Sequence, residues 1–301
     1  MNVWFENANL SSNSGPNSFA QKLTDSFVKK GITTNQEPYD VSLCFIESYR
    51  KDIQNIPTVQ RLDGIYFNVA QNFMLQNSNI FRTYKQSGGV VFQSEFNKEL
   101  ILRWFGDHQN YDVIHNGADL ELINSSPILK NSTLDEYENI WCCAAAWRPH
   151  KRLRDNIQYF LEHSGPNDIL FIAGDKQNEQ IPADTKIKYL GVLSTQQLIS
   201  LYKASTYFIH LAWLDHCPNV VVDARACGCK IICTNSGGTA EIAGPTATVI
   251  EQEPWDFKPV DLYDPPPLDF SRTINNVYDT EYDMEIISDR YSNFLYAHAQ
   301  S

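Results

Sequence analysis

The most informative stretch of this 301-residue chain is residues 215–241, which read DHCPNVVVDARACGCKIICTNSGGTAE. Pro218 suits the first turn of a helix, because its missing N–H needs no partner there. The helix that begins at this proline should end at Gly228. The run Lys230–Thr234 then has the β-branched and small side chains of a buried parallel strand. With the glycine turn at 236–239, the stretch predicts the helix–strand–helix alternation of an open α/β sheet.

Both helix starts in this stretch are predicted to bind an anion. The first turn of a helix leaves backbone N–H groups without intrahelical partners, and a glycine turn lets the backbone approach a ligand closely. The groups belong to Asn219, Val220 and Val221 in the first helix and to Gly237, Gly238 and Thr239 in the second. Asp215 and Asp223 stand eight positions apart around the first helix start. Because open α/β sheets bind ligands at the carboxyl ends of their strands, we expect these groups to converge there.

The same stretch resembles the donor-sugar signature of retaining glycosyltransferases of the GT-B architecture, in particular glycosyltransferase family 4. The resemblance rests on the step from Asp215 to Asp223, on ARACGCKII at 224–232 and on SGGTAE at 236–241. The family usually has glutamate at both ends of that step. Aspartate keeps the charge and shortens each side chain by one methylene. The resemblance implies an α/β fold with two Rossmann-like domains that face a central cleft.

Composition restricts the class of protein. The shares of hydrophobic residues, 43%, and charged residues, 20%, are those of an ordinary globular chain, and the length suffices for two domains. The formal net charge of −12 argues against a nucleic-acid partner. No basic segment precedes an apolar run at the amino terminus, and no stretch approaches the about 18 apolar residues of a membrane span. We therefore expect a cytoplasmic protein without an integral membrane segment, and peripheral membrane contact stays open.

The order of the predicted strands and helices divides the chain into four parts. They are an amino-terminal, acceptor-side Rossmann-like domain (1–118), a linker (119–138), a donor-binding Rossmann-like domain (139–272) and a C-terminal helical segment (273–301). Alternating strands and helices are typical of a parallel sheet with helices on its faces. The helix predicted at about 280–298 could pack back on the first domain.

Candidate residues of the first domain follow predicted strands. Gly15 lies in a loop that the resemblance places beside the donor phosphates and the acceptor, and a plain connecting loop is the alternative. Asp63 follows the strand 58–61, where α/β proteins keep catalytic groups. We expect it to orient or deprotonate an acceptor hydroxyl, with Arg61 holding it in place. The alternative is an Arg–Asp pair that caps a turn. In the second domain, the resemblance adds Val192 to the donor-binding residues.

A basic turn, WRPHKR at 147–152, follows the first strand of the predicted second domain. Two cations at a strand end suit a diphosphate, because fixed donors stabilise the charge that develops on a departing phosphate. The resemblance assigns Lys151 and Arg148 to the diphosphate, Asp223 to the ribose hydroxyls and Asp215 to the transferred sugar. A solvated basic turn is the alternative.

The hypothesis is a hexosyltransferase that moves a sugar from a nucleotide diphosphate sugar to an acceptor hydroxyl of a glycan or glycoconjugate. Retention of configuration follows from the resemblance. The sequence has no Asp-x-Asp pair, which favours metal-independent transfer. We expect no cofactor beyond the donor substrate, a UDP- or GDP-sugar. The alternatives are a non-catalytic sugar-nucleotide-binding protein and a GT-B sugar-nucleotide epimerase or hydrolase. A Rossmann dehydrogenase is disfavoured, because no G-x-G-x-x-G follows the first strand of either domain.

Overall fold

A computed structural model describes residues 1–12, 14–129 and 134–300 of the chain. The strands of its amino-terminal part form one parallel sheet, and they are β1 Asn2–Glu6, β2 Thr33–Thr34, β3 Val41–Phe45, β4 Thr58–Leu62, β5 Gly89–Phe92 and β6 Tyr111–Val113. Their spatial order is β2-β1-β3-β4-β5-β6. The helices that connect them are α1 Gly15–Lys29, α2 Phe73–Gln86 and α3 Glu95–Phe105.

The remaining strands form a second sheet, and they are β7 Ile140–Ala144, β8 Ile169–Ala173, β9 Ile187–Gly191, β10 Tyr207–His210, β11 Lys230–Thr234, β12 Thr248–Ile250 and β13 Thr273–Asn275. Their order is β13-β12-β11-β10-β7-β8-β9, and only the edge strand β13 runs antiparallel to its neighbour. The helices that follow β6 in the chain are α4 Leu120–Ser125, α5 Leu153–His163, α6 Thr195–Ala204, α7 Asn219–Ala226, α8 Thr239–Ala243 and α9 Met284–Ala299.

Both sheets are covered on both faces, as their apolar strands predict. Successive side chains of a strand point to opposite faces. In β7, Cys142 and Ala144 pack into one apolar cluster, whereas Trp141 and Cys143 pack into another. The strands of the first sheet divide in the same way between two clusters. The prediction of two Rossmann-like α/β domains that face a central cleft is confirmed.

Two segments differ from the predicted organisation. The segment predicted as a linker, 119–138, contains α4, because Asp119 caps this helix by accepting a hydrogen bond from the Leu122 N–H at 2.9 Å. Its residues 130–133 lie outside the described part of the chain. The last helix begins at Met284 rather than near 280, since Asp283 is its N-cap. One face of α9 is buried against the first sheet, with Tyr291 beside Phe19.

The two domains touch beside the cleft through α8 and α3. The Glu241 carboxylate of α8 accepts hydrogen bonds from the backbone N–H groups of Glu95 and Phe96, at 2.7 and 2.8 Å, in the first turn of α3. A carboxylate is stabilised at this end of a helix by the free N–H groups and by the helix dipole. His115 adds a third contact to Glu241, at 3.0 Å. This contact fixes one domain against the other next to the candidate site.

Among the described residues, no helix combines the length and the apolar character that crossing a membrane requires.

Candidate functional site

Residues of both domains line one cleft of about 610 Å³ at the carboxyl ends of the two sheets. Open α/β sheets bind their ligands at this end of the strands. Most of the residues predicted for the site line this cleft, and they are Gly15, Asp63, Arg148, Lys151, Val192, Asp215, Asn219, Val220 and Asp223. Gly15 and Asp223, which are 208 positions apart in the sequence, therefore share one site.

Four of the predicted donor-binding residues do not line the cleft. Val221 is fully buried in the core of the second domain, and its N–H donates to the Pro218 carbonyl at 3.0 Å. This N–H is therefore not available to an anion, because the first turn of α7 closes on Pro218. The N–H groups of Asn219 and Val220 form no hydrogen bond within the described residues. The expected anion site at the start of α7 is reduced to these two groups.

The other three residues form the glycine turn at 237–239. Its backbone packs directly against the loop around Asp215. A Cβ atom on Gly237 would lie 2.5 Å from the Asp215 carbonyl oxygen, and one on Gly238 would lie 2.0 Å from the His216 carbonyl oxygen. The Gly238 N–H donates to the Asp215 carbonyl at 2.8 Å, and Thr239 is fully buried. The structure thus gives these glycines a packing role, since only glycine lets two backbones approach this closely.

The Asp215 carboxylate is held by its own domain. It forms an ion pair with Lys151 Nζ, and it accepts a hydrogen bond from His210 Nε2 at 2.9 Å and one from the His216 N–H at 3.1 Å. Burial alone would raise the pKa of Asp215, but the charge of Lys151 and the hydrogen bond from His210 outweigh it and hold the pKa well below its usual range. Asp215 is therefore a carboxylate that fixes the position of Lys151.

Two histidines line the cleft, and the pKa of each lies below its usual range. Burial lowers the pKa of His210, although its hydrogen bond to Asp215 opposes the shift. Burial also lowers the pKa of His216 to about 4. A Cβ atom on Gly64 would lie 2.5 Å from His216 Nε2, so the glycine after Asp63 makes room for this ring of the other domain. The positive charge in this part of the cleft therefore comes from Arg148 and Lys151.

Arg148 and Lys151 reach the cleft from the turn after β7. The Arg148 side chain is exposed and forms no hydrogen bond or ion pair within residues 1–12, 14–129 and 134–300. The Lys151 ammonium has three N–H donors, of which Asp215 accepts one. Together with the N–H groups at the start of α7, these cations form a site that suits a diphosphate.

Asp223 forms an ion pair that the sequence did not indicate. Its Oδ1 atom lies 2.6 Å from Lys22 Nζ, which comes from α1 of the other domain. Lys22 Nζ also donates to the Gly117 carbonyl at 3.1 Å. Burial raises the pKa of Asp223, against the opposing charge of Lys22. Because Oδ2 accepts no hydrogen bond within the described residues, one carboxylate oxygen remains open to a ligand hydroxyl.

Asp63 is held by a buried arginine. Arg61 has no exposed side-chain surface; its Nη1 donates to Asp63 Oδ1, and its Nη2 donates to Asn116 Oδ1 at 2.7 Å. Tyr291 of α9 accepts from Arg61 Nε at 3.1 Å. The second carboxylate oxygen, Asp63 Oδ2, is buried and has no partner within the described residues. The predicted pairing of Arg61 with Asp63 is present, and it leaves one oxygen unused in the cleft wall.

Within the described part of the chain, no three or more His, Cys, Asp and Glu side chains form a group that could hold a metal ion.

Comparisons with known proteins match part of the chain to one family. The family model described as Glycosyl transferases group 1 matches residues 125–256. A comparison with curated protein sequences gives no match.

Solved structures resemble both halves of the chain. Anabaena Alr3699/HepE, crystallised with UDP-glucose, has a TM-score of 0.68 at 13% identity over 99% of this chain and 100% of that chain. Sucrose-phosphate synthase of Thermosynechococcus elongatus has a TM-score of 0.61 at 11% identity over 83% and 86%. AviGT4, a glycosyltransferase involved in avilamycin A biosynthesis, has a TM-score of 0.59 at 12% identity over 100% and 98%. The chain thus has the two-domain fold of GT-B glycosyltransferases, and its residues 125–256 match the glycosyl transferases group 1 family.

Proposed function

We propose that this protein is a glycosyltransferase that moves a hexosyl group from a nucleotide diphosphate sugar to an acceptor hydroxyl of a glycan or glycoconjugate. The observation that carries the proposal is the convergence of Arg148, Lys151, the start of α7 and Asp223 on a single cleft. This arrangement supplies fixed positive groups for a diphosphate and a carboxylate for ribose hydroxyls. The group 1 family match over residues 125–256 supports the same activity.

The donor is proposed to be a UDP-sugar in the first instance, with a GDP-sugar as the second choice. The structures of Anabaena Alr3699/HepE contain UDP-glucose, UDP with glucose, or UDP alone. In this chain the nucleoside would lie along the second domain, between Val192 and Asp223, which both line the cleft.

In the proposed reaction, the acceptor oxygen bonds to the anomeric carbon on the same face from which the diphosphate oxygen departs, as retention requires, while the bond from that carbon to the diphosphate oxygen breaks. The acceptor proton passes to Asp63 Oδ2, and the electron pair of the broken bond remains on the nucleoside diphosphate. Arg148 and Lys151 stabilise that charge. Asp215 holds Lys151 in place, which is a more indirect role than the sugar contact that the resemblance implies. Retention of configuration rests on the family 4 resemblance, and NMR of the product's anomeric proton tests it.

Transfer is expected to continue in the presence of EDTA, because protein cations and helix N–H groups can neutralise the departing diphosphate without a metal. The measurement is the initial rate of sugar transfer in EDTA and in added Mg²⁺ or Mn²⁺. A rate that falls to background in EDTA and returns with either metal would contradict this expectation.

Replacing Asp223 with alanine is expected to weaken nucleotide binding by about tenfold or more, since a hydrogen bond to a charged group contributes about 1.5–3 kcal/mol. Titration calorimetry with UDP and GDP measures the effect. The matched control is Asp289→Ala, because Asp289 also forms an ion pair with a lysine, Lys30 at 2.7 Å, but lies on α9 outside the cleft. Equal nucleotide affinity in the wild type and Asp223→Ala would show that Asp223 does not bind the donor.

A non-catalytic sugar-nucleotide-binding protein is the second candidate, and one observation favours it. Both oxygens of Asp215 already accept hydrogen bonds from the protein, so this carboxylate is less free to contact a sugar. This candidate predicts tight nucleotide-sugar binding without transfer to any acceptor and without release of free sugar. An epimerase or hydrolase would instead convert the donor in the absence of an acceptor.

A further inference from the structure

Gln93 and Asp63 follow the ends of two neighbouring strands at the carboxyl edge of the first sheet. Leu62 of β4 pairs with Phe92 of β5, and the two strands are parallel. The next residue of each strand is therefore Asp63 on one side and Gln93 on the other, so that neighbouring strands place them next to each other. Both residues line the cleft.

One network holds both side chains in place. Arg61 donates to Asp63 Oδ1 and, at 2.7 Å, to Asn116 Oδ1. Asn116 Nδ2 lies 3.5 Å from Gln93 Oε1, and the Gln93 N–H donates to Asn97 Oδ1 at 3.3 Å. Asp63 Oδ1 and Gln93 Oε1 thus already accept hydrogen bonds from other side chains of the protein.

The outer atom of each side chain is unused. Asp63 Oδ2 is buried without a partner within the described residues, and because buried polar atoms nearly always have one, this exception needs an explanation. Gln93 lines the cleft, and its Nε2 forms no hydrogen bond within the described residues. One hydrogen-bond acceptor and one hydrogen-bond donor, held side by side in a cleft wall, match two neighbouring hydroxyl groups.

The charge of this wall restricts the ligand further. The described first-domain residues that line the cleft include no lysine, arginine or aromatic side chain, and their one charged group is the Asp63 carboxylate. An anionic ligand would find no free cation in this wall, because the Arg61 guanidinium is buried and already pairs with Asp63. Lys22 of the first domain does not line this cleft, and its ammonium forms an ion pair with Asp223.

We propose that Asp63 Oδ2 and Gln93 Nε2 bind a pair of neighbouring hydroxyls on a neutral sugar acceptor. The attacking hydroxyl donates to Asp63 Oδ2, and the adjacent hydroxyl accepts from Gln93 Nε2. Gln93 takes no part in bond making, and it sets which hydroxyl attacks. The proposal rests on the proposed glycosyl transfer and adds to it the class of acceptor and a second acceptor-binding residue.

The test measures the binding of defined sugars to the full chain in the presence of saturating UDP, by saturation-transfer NMR and calorimetry. The probes are the methyl glycosides of glucose, galactose and mannose, their monodeoxy analogues, glucose 6-phosphate and glucuronic acid. The variants are Gln93→Leu, which removes the donor, and Gln93→Asn, which keeps an amide on a shorter side chain. UDP affinity and melting temperature report whether each variant remains folded.

At least one neutral glycoside is expected to bind the wild type more tightly than either charged sugar. Gln93→Leu is expected to weaken its binding by about tenfold while UDP affinity changes by less than about twofold, because one hydrogen bond is lost on the acceptor side alone. One monodeoxy analogue should bind weakly to the wild type and suffer no further loss in Gln93→Leu, since both changes remove the same contact. The affinity of Gln93→Asn for the neutral glycoside should lie between those of the wild type and Gln93→Leu.

Three results would overturn the proposal: no neutral glycoside binds, a charged sugar binds as tightly as the neutral ones, or Gln93→Leu binds like the wild type. If Gln93→Leu fails to fold, the binding of the monodeoxy analogues is compared between the wild type and Gln93→Asn. If Gln93 contacts the missing hydroxyl, removing that hydroxyl should weaken binding less in Gln93→Asn than in the wild type. Transfer of labelled sugar is measured separately. Glycoside binding with no transfer would contradict the proposed glycosyl transfer. It would not contradict the binding of a neutral sugar by Asp63 and Gln93.

Discussion

Lys151→Ala is expected to lower the rate of sugar transfer by about 30- to 1,000-fold, which corresponds to about 2–4 kcal/mol of lost transition-state stabilisation. Lys151 is the cation that Asp215 holds in the cleft, beside the start of α7. Lys151 pairs with the diphosphate of the bound donor and also stabilises the charge that develops as the glycosidic bond breaks, so both donor affinity and kcat should fall. Steady-state kinetics with the donor varied at saturating acceptor measures both quantities.

This substitution also leaves Asp215 without its cation, which requires a control for stability. The low pKa of Asp215 contributes stability above its unfolded pKa, and this contribution is lost as the pH falls through the folded pKa. Without Lys151 the pKa of Asp215 rises, so the contribution at neutral pH decreases. The double variant Lys151→Ala/Asp215→Asn removes the buried charge, and Lys258→Ala is the control for loss of a lysine outside the cleft. A fully active, folded Lys151→Ala protein would disprove the diphosphate assignment.

Asp63→Asn is expected to lower transfer by about 10²- to 10⁴-fold, the usual contribution of a general base, while donor binding stays unchanged. Asparagine retains an oxygen for Arg61 but cannot accept the acceptor's proton. Donor binding should persist, because the diphosphate and ribose groups belong to the other domain. The experiment compares the transfer rate with the calorimetric affinity for UDP.

The matched control is Asp112→Asn, because Asp112 also pairs with an arginine, Arg290 at 2.8 Å, but lies on β6 outside the cleft. If Asp63→Asn instead melts several degrees lower and keeps its transfer rate, Asp63 is a turn-capping residue. Loss of UDP binding in this variant would likewise exclude the acceptor role and indicate a disturbed cleft.

The parts of this fold that the sequence predicts are those fixed by local pattern. The start of α7 near Pro218 and the strand Lys230–Thr234 follow from a helix-compatible proline and a run of apolar side chains. The end of a strand predicts a ligand position, which is why Asp63 and Lys151 line the cleft as expected.

What the sequence does not show depends on contacts between distant residues. Lys22 and Asp223 are 201 positions apart, and nothing in the helical pattern of α1 distinguishes this lysine from an exposed one. Gly237 and Gly238 have the pattern of an anion-binding turn, but the approach of the Asp215 loop gives them a packing role. Gln93 could have been found as the strand-end neighbour of Asp63, had the pairing of β4 with β5 been known.

The central claim is that this cleft binds a nucleotide diphosphate sugar through Lys151. The most direct measurement is a thermal-shift panel of UDP-, GDP- and ADP-sugars on the wild type and on the double variant Lys151→Ala/Asp215→Asn, since a ligand that binds only the folded state raises the melting temperature. We predict that at least one sugar nucleotide, first of all a UDP-sugar, raises the melting temperature of the wild type and that the shift is lost or much reduced in the variant. No shift with any sugar nucleotide, or an equal shift in both proteins, would contradict the account.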